Sequence, residues 1–210
     1  MDGMDRLLFN SLLRTMEKEI DSKKIRDMEE RLASQHGLGF EDVFYKFDEM
    51  RCLLFEFETE LKNIEDKILQ DCVTVDSDDG SIWLTVKNRH LTELILRTFA
   101  DEGKKQILDT TRQRAESMPR ILTLCKMPST SGYRKLNQLI SDGFVIPTGL
   151  AETFEGKRAI TYRSVIEQLQ IIIERNVIVA KIKITKETFL SSKLVQALTE
   201  TSNGAGALAN

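Results

Sequence analysis

The sequence predicts an α+β protein, with a helical N-terminal region followed by a run of three short helices set between β-hairpins. Three patterns carry that expectation. Apolar residues keep helical spacing through most of 4–68, and strict alternation replaces it at 73–86 and again at 169–184. Between 101 and 143, helix-start and helix-stop residues recur at short intervals.

In residues 4–35, Leu8, Leu12, Met16 and Ile20 form one helical stripe and Ile25, Met28 and Leu32 a second. Asp21-Ser22 is a helix start between them, and His36-Gly37-Leu38-Gly39 a stop. Phe40, Val43, Phe47, Met50, Leu54, Phe57, Leu61, Ile64 and Ile68 then alternate in steps of three and four with no Gly or Pro among them. This is the seam of a long helix, and Glu41 and Asp42 suit its first turn. The seam serves either to join two copies, as a coiled coil or a swapped helical bundle, or to pack the helix inside an N-terminal helical domain. Phe40, Phe47 and Phe57 weigh against a simple coiled coil.

The period then changes. Val73, Val75, Ile82, Leu84 and Val86 flank Ser77-Asp78-Asp79-Gly80 as a hairpin, and Trp83 is expected in its core. Helical spacing returns at Leu91, Leu94, Ile95 and Leu96. A short helix is expected over 101–113 with Ile107 and Leu108 inward. A second is capped by Ser117, with Pro119 in its first turn and Ile121, Leu122 and Leu124 toward a core. Lys126-Met127-Pro128 breaks it, Ser129 caps a third helix to Ser141, and Asp142-Gly143 closes that one. Two helices joined by so short a turn form a helix-turn-helix. A strand over 144–147, a polar loop over 148–158 and a return strand over 159–163 add a two-stranded wing. Leu169 to Ile184 gives a second hairpin around Arg175-Asn176, 186–200 a last helix, and 201–210 a tail. The regions are therefore 1–70, 71–100, 101–165, 166–200 and 201–210.

Charge divides along the chain. Residues 1–100 hold 14 Lys/Arg against 22 Asp/Glu, whereas 104–163 hold 11 against 5. A basic segment in an acidic protein suits contact of that segment with phosphate. Cys52, Cys72 and Cys125, odd in number and far apart, fit free thiols in a reducing compartment. With no apolar run of spanning length and acids where a secretory signal carries bases, the chain is expected to be cytoplasmic and off the membrane.

Ser129, Thr130, Ser131, Tyr133, Arg134, Lys135 and Gln138 crowd the start and outward side of the third helix. In a helix-turn-helix that end enters the major groove. Hydroxyls suit phosphate oxygens there, and Arg and Gln can read base edges. Gly132 lets this helix approach its neighbour closely. Lys157, Arg158 and Arg163, at the wing tip and on its return strand, are expected to hold the phosphate backbone.

The run Met127-Pro128-Ser129-Thr130-Ser131-Gly132-Tyr133-Arg134-Lys135-Leu136, continued to Gly143-Phe144, resembles winged-helix regulators of the arsenic-repressor type, archaeal ones above all. Gly156-Lys157-Arg158 and Tyr162-Arg163 are similar to the wing of that group, and the resemblance covers roughly 100–165. It implies a winged helix-turn-helix, double-stranded DNA as partner, a homodimer, and Ser129, Thr130, Ser131, Tyr133, Arg134 and Gln138 as the DNA-facing set. Metal-sensing members carry a Cys-x-Cys pair near the second helix or His/Asp clusters on the last. This chain has Cys125 alone there and only His36 and His90 elsewhere, so no metal or other cofactor is expected.

Other residues read plainly. Cys125 is expected as a buried small hydrophobe, and His90 in a capping or surface role. Asp76, Asp78 and Asp79 lie in a turn between strands and lack the helices of a calcium loop. Gly156-Lys157-Arg158 has no phosphate-loop spacing, and no Ser/His/Asp or Cys/His set supports an enzyme. The expected function is transcription regulation through DNA; the alternative is a winged-helix adaptor that binds protein and no DNA. Whether the acidic N-terminal helices sense a signal or contact the transcription machinery stays open.

Overall fold

The computed structural model describes residues 3–8, 22–31, 33–34, 37, 73–78, 81–152, 156, 158–175, 177–196 and 198–199. The heptad seam at 40–68, most of the first helical stripe, Cys52, Cys72 and the tail lie outside them. The chain combines helices with antiparallel sheets, α+β as the change of period predicts. After helical residues 3–8 come α1 (Ser22–Arg31), β1 (Val73–Asp78), β2 (Ser81–Val86), α2 (Arg89–Ala100), α3 (Glu102–Gln113), β3 (Glu116–Ser117) and α4 (Met118–Leu124). Then follow α5 (Ser129–Ser141), β4 (Val145–Glu152), β5 (Arg158–Ser164), β6 (Ile166–Glu174), β7 (Val177–Ile184) and α6 (Lys186–Ser191).

Caps set the helix starts. The Leu91 N–H donates to Asn88 Oδ1 and the Lys104 N–H to Asp101 Oδ1, each at 3.0 Å, starting α2 and α3. Thr185 Oγ1 accepts from the Thr188 N–H at 2.9 Å to start α6. His90 accordingly sits inside the first turn of α2, and Asn88 does the capping.

The two hairpins seen in the sequence are halves of one sheet. Strand order is β1-β2-β7-β6, with Ile82 opposite Ile184, Leu84 opposite Ile182 and Val86 opposite Ala180. Segments 71–100 and 166–200, separate in the sequence reading, are joined here because an isolated two-stranded hairpin cannot bury its apolar face. The alternation also corrects Trp83. Leu84 and Val86 face the core, so Trp83 lies on the other face, half-buried, with Asp76 and Lys183 as its cross-strand neighbours. The second sheet has the order β3-β5-β4.

One core runs through both sheets and the helices, and includes Met4, Leu7, Leu84, Ile95, Ile107, Ile121, Leu136, Phe144, Ile182 and Val195. Residues 3–8 thus belong with the main body rather than with a separate region ending at 70. Arg6 Nη1 donates to the Ile140 carbonyl at 3.0 Å, at the C-terminal end of α5. Asp5 Oδ1 accepts from Ser192 Oγ at 2.5 Å and from the Leu194 N–H at 3.2 Å. The last helix, expected to be continuous over 186–200, is interrupted at Ser192, whose Oγ caps the next turn by accepting from the Val195 N–H at 3.2 Å. Among the described residues no helix is long and apolar enough to cross a membrane.

Candidate nucleic-acid interface

Helix α3 packs against α4, α5 and β5, and α4 against α5. Pro119 stands in the first turn of α4 as expected, and Ile121 and Leu122 are buried. Three details differ from expectation. Ser117 occupies the N-cap position but makes no side-chain cap, because its backbone is taken into β3 opposite Thr161. Leu124 is 46% exposed, as it falls off the Ile121–Leu122 side at the last turn. The N-cap of α5 is Pro128, not Ser129, and Ser131 Oγ donates back to the Pro128 carbonyl at 3.1 Å. Cys125 is half-buried, with its Sγ 3.4 Å from Thr110 Oγ1. Lys126, in the turn, takes φ +50°.

The α4–α5 crossing is close because Gly132 is at it. A Cβ there would lie 2.4 Å from Leu122 Cδ2. Leu136 and Leu139 continue the buried row of α5. The opposite row, Thr130, Tyr133, Arg134, Asn137 and Gln138, is exposed, as is Ser129, while Ser131 is half-buried. These five positions follow the 3–4 spacing of one helix face, and α5 carries no acidic residue.

Lys135 does not share that face. Its ammonium lies on the Asp101 carboxylate that caps α3, and Gly103, where a Cβ would be 2.9 Å from Lys135 Cδ, leaves room for its stem. The Lys135 hydrogen bond, with that of the Lys104 N–H, holds the Asp101 carboxyl below its usual range. Lys135 therefore ties α5 to α3, which corrects its place in the outward set.

The hairpin after α5 is longer than the sequence suggests. β4 continues to Glu152 and β5 begins at Arg158, so 148–152 and 158, expected in the loop, are strand. Thr148 Oγ1 lies 3.2 Å from Thr161 Oγ1, and the register shifts between Pro147 and Gly149. Arg158 is exposed at the outer end, opposite Glu152. Arg163 is on the return strand but at the root, opposite Ile146, with Glu187 Oε2 3.8 Å from its Nη1. Lys157 lies outside the described residues.

The structure brings forward residues that the sequence reading passed over. Asn137 joins the exposed face of α5. Arg114 and Arg120 line a cleft of about 590 Å³ with Glu116, Thr123 and Glu152, between the start of α4 and the end of β4. The basic bias of 104–163 was their only signal, since their proximity depends on β3 pairing with β5. Among the described residues no group of three or more His, Cys, Asp or Glu could hold a metal ion. No family model matches the chain, and neither the curated proteins nor the solved structures contain a match.

Proposed function

We propose that residues 101–164 act as a winged helix-turn-helix that binds duplex DNA as a transcription regulator, two copies acting together. Helix α5 enters the major groove, and the β4–β5 hairpin lies along the backbone as the wing. The observation that carries this reading is the exposed row Thr130, Tyr133, Arg134, Asn137 and Gln138 on a helix without acids. Arg134 and Gln138 can each make two hydrogen bonds to a base edge, while Ser129, Thr130 and Ser131 suit phosphate oxygens. Arg158 reaches the backbone from the outer end of the wing, and Arg163 and Lys157 are assigned to the same role. The helix order and the strand order β3-β5-β4 support the reading, as does the resemblance of 127–144 to regulators of the arsenic-repressor type.

The adaptor reading draws on one observation. Leu150 and Ile160, opposite one another on the hairpin, are 64% and 49% exposed, which also suits a protein partner. Titrating the chain and its Arg134→Ala and Gln138→Ala variants into a duplex selected from random sequence separates the two. The DNA reading expects each variant to weaken binding by about 1–3 kcal/mol with its thermal unfolding unchanged. It also expects log K to fall linearly with log salt. A parent chain that ignores duplex DNA at low salt, or variants that bind as the parent does, would leave the adaptor.

A further inference from the structure

Among the described residues β6 is an edge strand, with β7 on one side and no strand on the other. Natural sheets blunt such edges with prolines, bulges, charges or a covering element. In β6 those devices sit at its two ends, a bulge and a covering side chain at the start and the charges of Glu174 and Arg175 at the turn. A register shift falls between Ile166 and Gln168, and Arg112 Nη1 donates to the Glu167 carbonyl at 3.4 Å. From Gln168 to Glu174 the pairing with β7 is regular and contains no proline.

The direction of the edge groups follows from the turn. Glu174 and Val177 close a two-residue loop, so their N–H and C=O groups face one another. By alternation, Leu169, Ile171 and Ile173 turn theirs outward, away from β7. The side chains of these three lie on the core side of the sheet, opposite Ile182, Ala180 and Ile178. That side empties of cover toward the turn: Ile171 is 38% exposed, Ile178 42% and Ile173 70%.

We propose that β6 pairs antiparallel with β6 of a second copy about a two-fold axis at Ile171, making one eight-stranded sheet. The strand is self-complementary in that register. Ile171 meets itself, Leu169 stands opposite Ile173 of the partner subunit, Gln168 opposite the partner's Glu174, and Glu167 opposite the partner's Arg175. Centring on Gln170 sets Glu167 against the partner's Ile173, and centring on Ile172 sets Leu169 against the partner's Arg175. Only the Ile171 register keeps Leu169, Ile171 and Ile173 in a continuous apolar row across the axis. At each end of that row stand Glu167, at the register shift and 3.9 Å from Lys183 Nζ of its own chain, and the turn residue Arg175 of the partner subunit. This goes beyond DNA recognition and is tested without DNA.

The test is sedimentation of the full chain over a range of concentrations. The parent dimerises, and Ile171→Lys, which sets two ammonium groups together at the axis, raises the dimer dissociation constant by at least about 100-fold. Glu167→Arg and Arg175→Glu, both at exposed positions, each raise it by roughly two- to thirtyfold. Combining them restores the parent value, which a folding defect cannot do. The proposal is overturned if the parent is monomeric throughout. It is equally overturned if the dimer ignores all three substitutions, which places the contact elsewhere, such as the 40–68 seam.

Discussion

The two hairpins that follow one another in the chain, β4–β5 and β6–β7, both leave the core at one end and run into solvent at the other. They finish in different chemistry. β4 is interrupted by Pro147 and a register shift before Gly149, and its outer end sets Glu152 against Arg158. Past its register shift between Ile166 and Gln168, β6–β7 runs regularly to Glu174, with isoleucines and valines on both strands near Arg175, which takes φ +47° at the turn. A strand interrupted by proline and a bulge and tipped with charge is a poor template for another strand; a regular apolar one is a good template. Similar local signals thus build one hairpin suited to a polar surface and one suited to a second sheet.

Five substitutions probe that comparison from the root of each hairpin outward. The largest effect is expected at the root of β7, where Ile182 is fully buried. Ile182→Ala costs about 2–5 kcal/mol in urea unfolding. Leu150→Ala, 64% exposed on β4, stays within about 0.5 kcal/mol. Equal costs would mean that the first hairpin packs as firmly as the second does.

Next comes the root of the β4–β5 hairpin. Gly143 has φ +86°, and a Cβ there would meet the Gly3 carbonyl oxygen at 2.3 Å and the Leu7 nitrogen at 2.7 Å. Gly143→Ala should cost at least about 1–2 kcal/mol for the left-handed backbone alone. Gly149→Ala, whose nearest neighbour would be Thr161 Oγ1 at 3.9 Å, should not. Matching melting temperatures for the two variants would remove the distinction.

The smallest effect is a gain. Asp142 ends α5, and burial pushes its carboxyl above the usual range while Lys104 partly opposes the shift. A raised value in the folded state means that its protonated form favours folding at low pH. That contribution is lost as pH rises through the folded value, leaving a buried charge at the negative end of a helix dipole. Asp142→Asn should therefore stabilise the protein at pH 7 by about 0.5 kcal/mol, with the gain fading as pH falls through the raised folded value and gone below about pH 4. A melting temperature unchanged at pH 7 would show that this carboxylate carries no penalty.

What the sequence made legible is what depends on neighbours in the chain. The bounds of α3 and α5, the hairpin partners around 79–80 and 175–176, and Gly132 at a close crossing all follow from caps, period or turn residues within a few positions. What it hid depends on distant residues. Lys135 looks like one more surface cation until α5 brings it against Asp101, 34 positions earlier. Trp83 looks like core until β7 fixes which face of β2 is covered. Leu124 fits the apolar spacing of α4, but the helix ends before its side can be covered. Ser129 looks like the cap of α5, but Pro128, which reads as part of the break, holds that position.

The bonds of Asp5 to the last helical turns also set an order of assembly. Its hydrogen bond from Ser192 closes a separation of 187 residues, and that of Arg6 to Ile140 one of 134. At about 5–20 residues per second, Asp5 is made roughly 10–40 s before Ser192 exists to receive it. The turn over 3–8 spends that interval without the partners that bury Met4 and Leu7. Segment 101–164 meanwhile has all its own strands, but the Gly3 and Leu7 backbone that packs on Gly143 is placed only when that early turn docks. Segment 101–164 is thus completed from a distance, and contacts of such long separation make the final step slow.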